Sequence, residues 1–167
     1  MSWYIKRNQN LFEKSSERSD ERNSTDFISF IKGMENLEDE HLHIIRGHLL
    51  IEQRLRELIN AKIRNVDALI EARLTFNQLL CIAKAFYWER DSERLWEGIT
   101  KLNNIRNSLS HKATIENYER DVAAFLSLIE GDDNPNASFS VKSRLALVMD
   151  SIYCRLCAYL DKNSNSR

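Results

Sequence analysis

The chain has 167 residues, with 24 basic and 25 acidic side chains and a net charge of −1. That length predicts one domain, and the near balance of charge excludes a global field that would draw the protein onto nucleic acid, so any such contact must use a local basic site. One proline and four glycines leave few chain-reversal signals, which predicts long helices rather than a strand-rich fold.

The first 23 residues are predicted to form a mobile N-terminal arm. After Trp3, Tyr4 and Ile5 this segment is strongly polar and cannot bury enough apolar surface to order itself. It lacks the apolar stretch of a signal peptide, and no run in the chain approaches the ~18 to 20 apolar residues of a membrane span. We therefore expect a cytoplasmic protein that does not engage a membrane.

The domain is predicted to span residues 24–160, with a first helix from Thr25 to about Leu37. Its apolar residues at helical spacing are Phe27, Phe30, Ile31 and Met34. A second helix is predicted from about Asp39 to Asn65, with one apolar stripe. The stripe consists of Leu42, Ile45, Leu49, Leu55, Ile59 and Ile63. Glu52 falls on this stripe, although a carboxylate that faces a core is costly unless it is paired.

Two further helices follow. Thr75 and Gln78 have capping-box spacing and predict a third helix over residues 76–88. Its predicted inward residues are Leu79, Leu80, Ala83 and Phe86. Asp91 or Ser92 caps a fourth helix. Its predicted buried stripe consists of Leu95, Ile99, Leu102 and Leu109. Arg106 falls on that stripe and is a second charged residue that does not fit the apolar pattern.

The last helices are separated by the one proline-containing loop, residues 131–140. A fifth helix is predicted from Thr114 to Glu130, with Gly131 as its stop signal. Its predicted inner face consists of Tyr118, Val122, Phe125 and Ile129. A final helix is predicted over residues 141–160, and residues 161–167 as a disordered tail. Together these elements predict an all-α fold, an antiparallel bundle of five or six helices.

Glu52 and Arg106 are explained most simply if they meet, as a buried and geometrically specific ion pair. Two interpretations stay open: the pair only fixes how the helices are aligned, or Glu52 holds Arg106 in a cleft, ready for an anion. His48 lies one turn before Glu52 on the same helix, and Arg46 is nearby. The nearest basic cluster reads as a solvated face. It consists of Arg54, Arg56, Lys62 and Arg64.

We expect no metal and no cofactor. Cys154 and Cys157 share a helix face and would make half of a zinc or redox site, but no second pair exists. They are interpreted as two small apolar residues in a packed helix. His41 and His43 point to different sides of the second helix, which favours solvated or capping roles over metal binding.

The run Arg106-Asn107-Ser108-Leu109-Ser110-His111 resembles the signature of the HEPN family, an arginine followed by four residues and a histidine. The stretch of residues 46–52 is similar to the upstream helix of several HEPN branches. Residues 74–85 resemble the helix between the two. The resemblance covers roughly residues 38–160.

This resemblance implies a helical bundle that forms a homodimer and, in active members, a metal-independent endoribonuclease that needs no cofactor. His111 would act as general acid or base, and Arg106 would bind the phosphate of an RNA substrate. Asn107 would orient His111 or the phosphate. Lys101 and Lys112 would bind substrate beside the motif. Arg106 and His111 lie roughly 140° apart around an ideal helix, so a second subunit would help them to converge on one phosphate.

The resemblance also implies a biological role as a toxin or antiviral effector, with an antitoxin or a nucleotidyltransferase as partner. In one HEPN branch a tyrosine that the nucleotidyltransferase modifies follows the histidine by two residues. Here that position is Ala113, which puts the nucleotidyltransferase route in doubt. The alternative is a non-catalytic HEPN-like module for dimerisation or sensing, which binds a protein partner or a nucleotide. In that case the motif residues would only stabilise a helix end.

Overall fold

Helices are the only regular secondary structure in the part of the chain that the computed structural model describes, which comprises residues 39–110, 115–131 and 134–164. The predicted all-α fold is confirmed. The helices are α1 (Glu40–Asn60), α2 (Val66–Glu71), α3 (Phe76–Tyr87), α4 (Glu93–Ser110), α5 (Ile115–Glu130) and α6 (Val141–Ser164), with a 3-10 turn over Arg90–Ser92 before α4. The predicted N-terminal arm and the predicted helix over residues 25–37 lie outside the described residues.

Short polar side chains set the helix boundaries. The predicted capping box at α3 is confirmed: Gln78 N donates to Thr75 Oγ1 at 3.4 Å, and Thr75 N donates to Gln78 Oε1 at 2.9 Å. Helix α1 ends at Asn60, five residues earlier than predicted. Asn65 then caps the unpredicted helix α2, where its Oδ1 accepts from Ala68 N at 3.2 Å.

The C-terminal part of the chain follows the predicted order. Gly131 ends α5 with a φ of 78°, a left-handed conformation that glycine adopts without steric cost. Helix α6 starts at Val141 as predicted and continues to Ser164, four residues beyond its predicted end. None of the described helices combines the length and the apolar character needed to cross a bilayer.

Helix α1 lies at the centre of the bundle and contacts α3, α4 and α6. Its fully buried residues are Ile44, Ile51, Leu55, Leu58 and Ile59. The predicted stripe is correct in the second half of this helix and wrong in the first half, where Leu42, Ile45 and Leu49 are 46%, 41% and 58% exposed. Apolar residues occupy two faces of α1, and Ile44 and Ile51 face the core in place of the predicted Leu42, Ile45 and Leu49.

The other helices mostly bury the predicted residues. On α4, Leu95, Ile99 and Leu102 are buried as predicted, whereas Leu109 is half-buried. On α3 the prediction is wrong at one position: Phe86 is exposed and Tyr87 is buried in its place. The buried Tyr87 hydroxyl is satisfied because it donates to Leu58 O at 2.9 Å.

A glycine brings α1 and α6 into close contact. A Cβ atom added at Gly47 would lie 2.7 Å from Met149 Sδ and 3.0 Å from Met149 Cγ. Those separations are far below a van der Waals contact, so the methionine side chain occupies the space that any larger residue would need. The pair lets the backbones of the two longest helices approach each other.

Arg54 is buried, in contrast to the predicted solvated face. It is 4% exposed; its Nη1 donates to Glu57 Oε2 at 2.5 Å, and its Nη2 donates to the Tyr153 hydroxyl of α6. The guanidinium also lies over the Tyr153 ring, 4.7 Å from its centroid. Arg54 therefore links α1 to α6 through a buried polar contact.

The burial of Arg54 predicts an unequal response of two neighbouring arginines to truncation. Arg54→Ala should lower the free energy of unfolding by about 2–3 kcal/mol, because Tyr153 loses its charged donor and the interior loses the packed side-chain stem. Arg56→Ala, which removes a partly exposed ion pair two residues away, should cost less than about 1 kcal/mol. Urea unfolding measures both. Equal losses would contradict a structural role specific to Arg54.

Candidate functional site

The contact between α1 and α4 brings together five polar residues. His48 and Glu52 lie one turn apart on α1, and Asn103, Arg106 and Asn107 lie on the second half of α4. Four of these five belong to the set that the sequence predicted. The five residues form two subsets. One is the hydrogen-bonded pair of the buried His48 and the half-buried Asn103, and the other comprises the half-buried Glu52 and the exposed Arg106 and Asn107.

His48 anchors the pair with Asn103. It is only 4% exposed, and its Nε2 lies 3.0 Å from Asn103 Oδ1. Since the amide oxygen accepts, the Nε2–H tautomer of the imidazole is the donor. The imidazole also stacks on the Phe76 ring of α3, with centroids 4.1 Å apart and 25° between the planes. His48 therefore contacts two helices besides its own.

Burial lowers the pKa of His48 from its usual value, and the positive charge of Arg106 lowers it further. The hydrogen bond with Asn103 and the negative charge of Glu52 act in the opposite direction without offsetting the burial. The neutral imidazole is therefore the form that the fold favours. A neutral, stacked and hydrogen-bonded histidine is suited to positioning α4 rather than to exchanging protons with a substrate.

The predicted ion pair between Glu52 and Arg106 is not among the contacts of the described residues. Glu52 Oε1 instead accepts from Arg56 Nη2 at 2.8 Å, one turn along the same helix. Arg106 is exposed, and its Nη1 donates to Asn107 Oδ1 at 3.2 Å. The expectation that both charged residues face the core is thus wrong for Arg106 and only partly right for Glu52, which is half-buried.

The remaining predicted residues are peripheral or lie outside the described residues. Arg46 is exposed on α1. Lys101 is half-buried, and its Nζ lies 3.9 Å from Glu97 Oε1, a long ion pair between neighbouring turns of α4. His111 and Lys112 follow the last residue of α4, Ser110, and are outside the described residues.

Asn103 is the site residue that sequence reasoning missed. It lies three residues before Arg106 and four before Asn107, so it shares their side of α4. The position of Asn103 on the same helix face as Arg106 and Asn107 is a sequence signal that could have identified it as a site residue. The spacing of its partner His48 from Glu52 indicates His48 as a site residue, but the sequence does not predict the contact between the two helices.

The described residues hold no group of three or more histidine, cysteine or acidic side chains that could bind a metal. Cys154 is half-buried with its Sγ 3.8 Å from Asp150 Oδ1, and burial raises the pKa of this thiol. Cys157 is buried in the core. Both are packed side chains, as their sequence context predicts. His43 is buried rather than solvated, with its Nδ1 3.1 Å from Asp39 O at the start of α1.

Comparison of the chain with models of protein families, with curated proteins and with solved structures gave no match.

The lowered pKa of His48 predicts a specific pH dependence of stability. In the unfolded chain the pKa of His48 is about 6.5, and in the folded chain it is lower. Below pH 6.5 the unfolded state therefore binds more protons, and the free energy of unfolding should fall with decreasing pH by up to about 1.4 kcal/mol per pH unit. His48→Gln, which cannot be protonated, should reduce this slope between pH 7.5 and pH 5.5 in urea unfolding.

His41→Gln is the matched control, since His41 is exposed on the first turn of α1. Only the slopes are compared, because His48→Gln also removes the stack on Phe76 and lowers the stability at every pH. A slope unchanged by His48→Gln, or reduced equally by His41→Gln, would show that burial of the neutral imidazole is not the cause.

Proposed function

We propose that this protein is a metal-independent endoribonuclease of HEPN type, which uses Arg106 and His111 at a cleft between two subunits. The observation that carries the proposal is the state of Arg106: its side chain is exposed, and no carboxylate lies within ion-pair distance of it among the described residues. A role as a cytoplasmic toxin or antiviral effector, restrained by an antitoxin, belongs to the same proposal and rests on the family resemblance.

The surroundings of Arg106 favour an anionic ligand. Arginine carries five N–H donors in a planar fork that matches a phosphate, and Asn107 occupies one of them. The nearby carboxylate of Glu52 is neutralised by Arg56 and so does not compete with an incoming phosphate. Because the whole chain is almost neutral, a cation that has no acidic partner among the described residues is the kind of local site that RNA binding requires here.

The chemistry follows from the two side-chain types. An imidazole removes the proton of a ribose 2′-hydroxyl, the 2′-oxygen attacks the adjacent phosphorus, and the bond to the 5′-oxygen breaks. A protonated imidazole returns a proton to that leaving oxygen. Arg106 stabilises the negative charge that builds up on the phosphate oxygens. The products are a 2′,3′-cyclic phosphate and a free 5′-hydroxyl, and no metal takes part.

Cleavage of a mixed RNA pool by the purified protein in EDTA tests this directly. We expect wild-type cleavage that leaves 2′,3′-cyclic phosphate ends. The rate should fall by roughly 10²- to 10⁴-fold in His111→Ala and by about 10²- to 10³-fold in Arg106→Ala, through loss of proton transfer and of charge stabilisation. Arg90→Ala is the control, because Arg90 is an exposed arginine in the 3-10 turn outside the site.

A folded protein that cleaves none of the pool, or one whose activity survives both substitutions, would reject the ribonuclease. The first outcome would favour a non-catalytic HEPN-like module that binds a protein partner or a nucleotide. Circular dichroism of each variant establishes that the loss is not one of folding.

Mixing the two inactive variants tests whether the cleft is shared. If Arg106 of one subunit acts with His111 of the other, a mixed dimer of Arg106→Ala and His111→Ala contains one intact cleft. After subunit exchange we expect about a quarter of the wild-type activity, since half of the dimers are mixed and each has one working cleft of two. Activity that stays at the level of the separate variants would place both residues in the same subunit.

A further inference from the structure

Helix α1 carries a row of exposed apolar side chains on the side away from the core. This outer stripe consists of Leu42, Ile45 and Leu49, which are 46%, 41% and 58% exposed. Their spacing of three and four residues places them on one face over two turns. Isolated exposed apolar residues are ordinary, but a contiguous row on one helix face indicates a surface that packs against something.

The sequence before α1 mirrors this stripe. Counted from Glu38, Leu42, Ile45 and Leu49 follow at distances of 4, 7 and 11 residues. At the same distances before Glu38 stand three further large apolar residues. They are Met34, Ile31 and Phe27. The two apolar patterns are therefore symmetric about one residue of the chain.

This symmetry has a geometrical meaning for two helices joined by a tight turn. Each residue of an α-helix advances the chain by about 1.5 Å, so residues equally far from the turn lie at the same height in an antiparallel pair. Helix α1 starts at Glu40 with Asp39 as an extended cap, which leaves Glu38 and Asp39 as the connection. Two residues are within the usual length for a helical hairpin, and a turn centred between them offsets the paired residues by one residue, about 1.5 Å along the axis.

We propose that the segment Thr25–Leu37 folds back as a helix and packs on the outer stripe of α1, with Met34 against Leu42, Ile31 against Ile45 and Phe27 against Leu49. The segment has 13 residues, about 20 Å as a helix, which exceeds the roughly 10 Å between Leu42 and Leu49 along the axis. Direct connection through two residues gives this segment a far higher local concentration at the stripe than a second copy of the chain has. The inference is independent of the proposed ribonuclease activity.

Cross-linking in the full-length protein tests the predicted alignment. The variant carries Ile31→Cys and Ile45→Cys, with the exposed Cys81 replaced by serine. A short bismaleimide should join the two cysteines within one chain. Trypsin then gives residues 23–32 and 33–46 as one cross-linked product, identified by mass spectrometry in the monomer band. The matched control combines Ile31→Cys with Ile70→Cys, since Ile70 is 66% exposed on α2 and outside the stripe.

Cross-linking of the Ile45 variant in the monomer, several-fold above the Ile70 variant, would support the hairpin. Cross-links found only in a dimer band would assign the stripe to a second copy and overturn the proposal. Equal yields for the two variants, or no cross-link in either, would overturn it as well. Circular dichroism ensures that the variants compared are folded.

A second measurement avoids cysteines. Leu49→Glu places a charge in the stripe and should release the segment, so that limited trypsin cuts after Lys32 on the order of tenfold faster. Ile70→Glu, with the same change at an exposed isoleucine outside the stripe, should leave that rate unchanged. A rate that is insensitive to Leu49→Glu in the folded protein would show that the segment does not dock there.

Discussion

Two buried polar residues on α1, His48 and Arg54, determine how the central helix sits among its neighbours. They are six residues apart, which places them about 120° from each other around the helix. His48 bonds to Asn103 on α4, and Arg54 bonds to Tyr153 on α6. Apolar contacts are not directional and tolerate a rotation of α1, whereas each of these polar groups would lose its partner if the helix turned. The pair therefore fixes the rotation of α1.

The rotation of α1 also keeps the charge of Glu52 apart from that of Arg106. With His48 directed toward α4, Glu52 follows one turn later at a half-buried position, where Arg56 of the same helix reaches it. Arg106 is close enough to influence the protonation of His48 but remains exposed, with an amide as its hydrogen-bond partner. A cation whose nearby carboxylate is already neutralised retains its attraction for an external anion, and this separation follows from packing rather than from the motif itself.

The sequence was sufficient to predict the helical class, most helix boundaries and the capping box at Thr75, because these depend on local chemistry and on a single apolar period. The sequence was insufficient to predict the rotation of α1 about its axis. Apolar residues lie on two faces of this helix, and their periodic spacing does not indicate which face is interior. The burial of Arg54 depends on a distant contact that local patterns do not show, because its partner Tyr153 is 99 residues away.

The error at Arg106 has a different origin. The apolar stripe of α4 continues in the sequence from Leu102 to Leu109, which predicts a core along the whole helix. In the structure no residue of α4 from Arg106 to Ser110 is fully buried. A helix that runs past the edge of its core keeps its periodic pattern without the burial. Asn103 lies just before this edge, on the same helix face as Arg106 and Asn107, but its contact with His48 joins two helices that are far apart in the sequence.

The contact between Gly47 and Met149 has a consequence for how this protein can change over evolution. The side chain of one residue fills the volume that the other leaves empty, so the two positions share a single space between α1 and α6. A larger residue at position 47 keeps the same helix separation if the flexible end of the Met149 side chain moves away or if position 149 becomes smaller. In diverged descendants of this chain the two positions should therefore covary in volume, and that correlation would mark the α1–α6 contact in sequences alone.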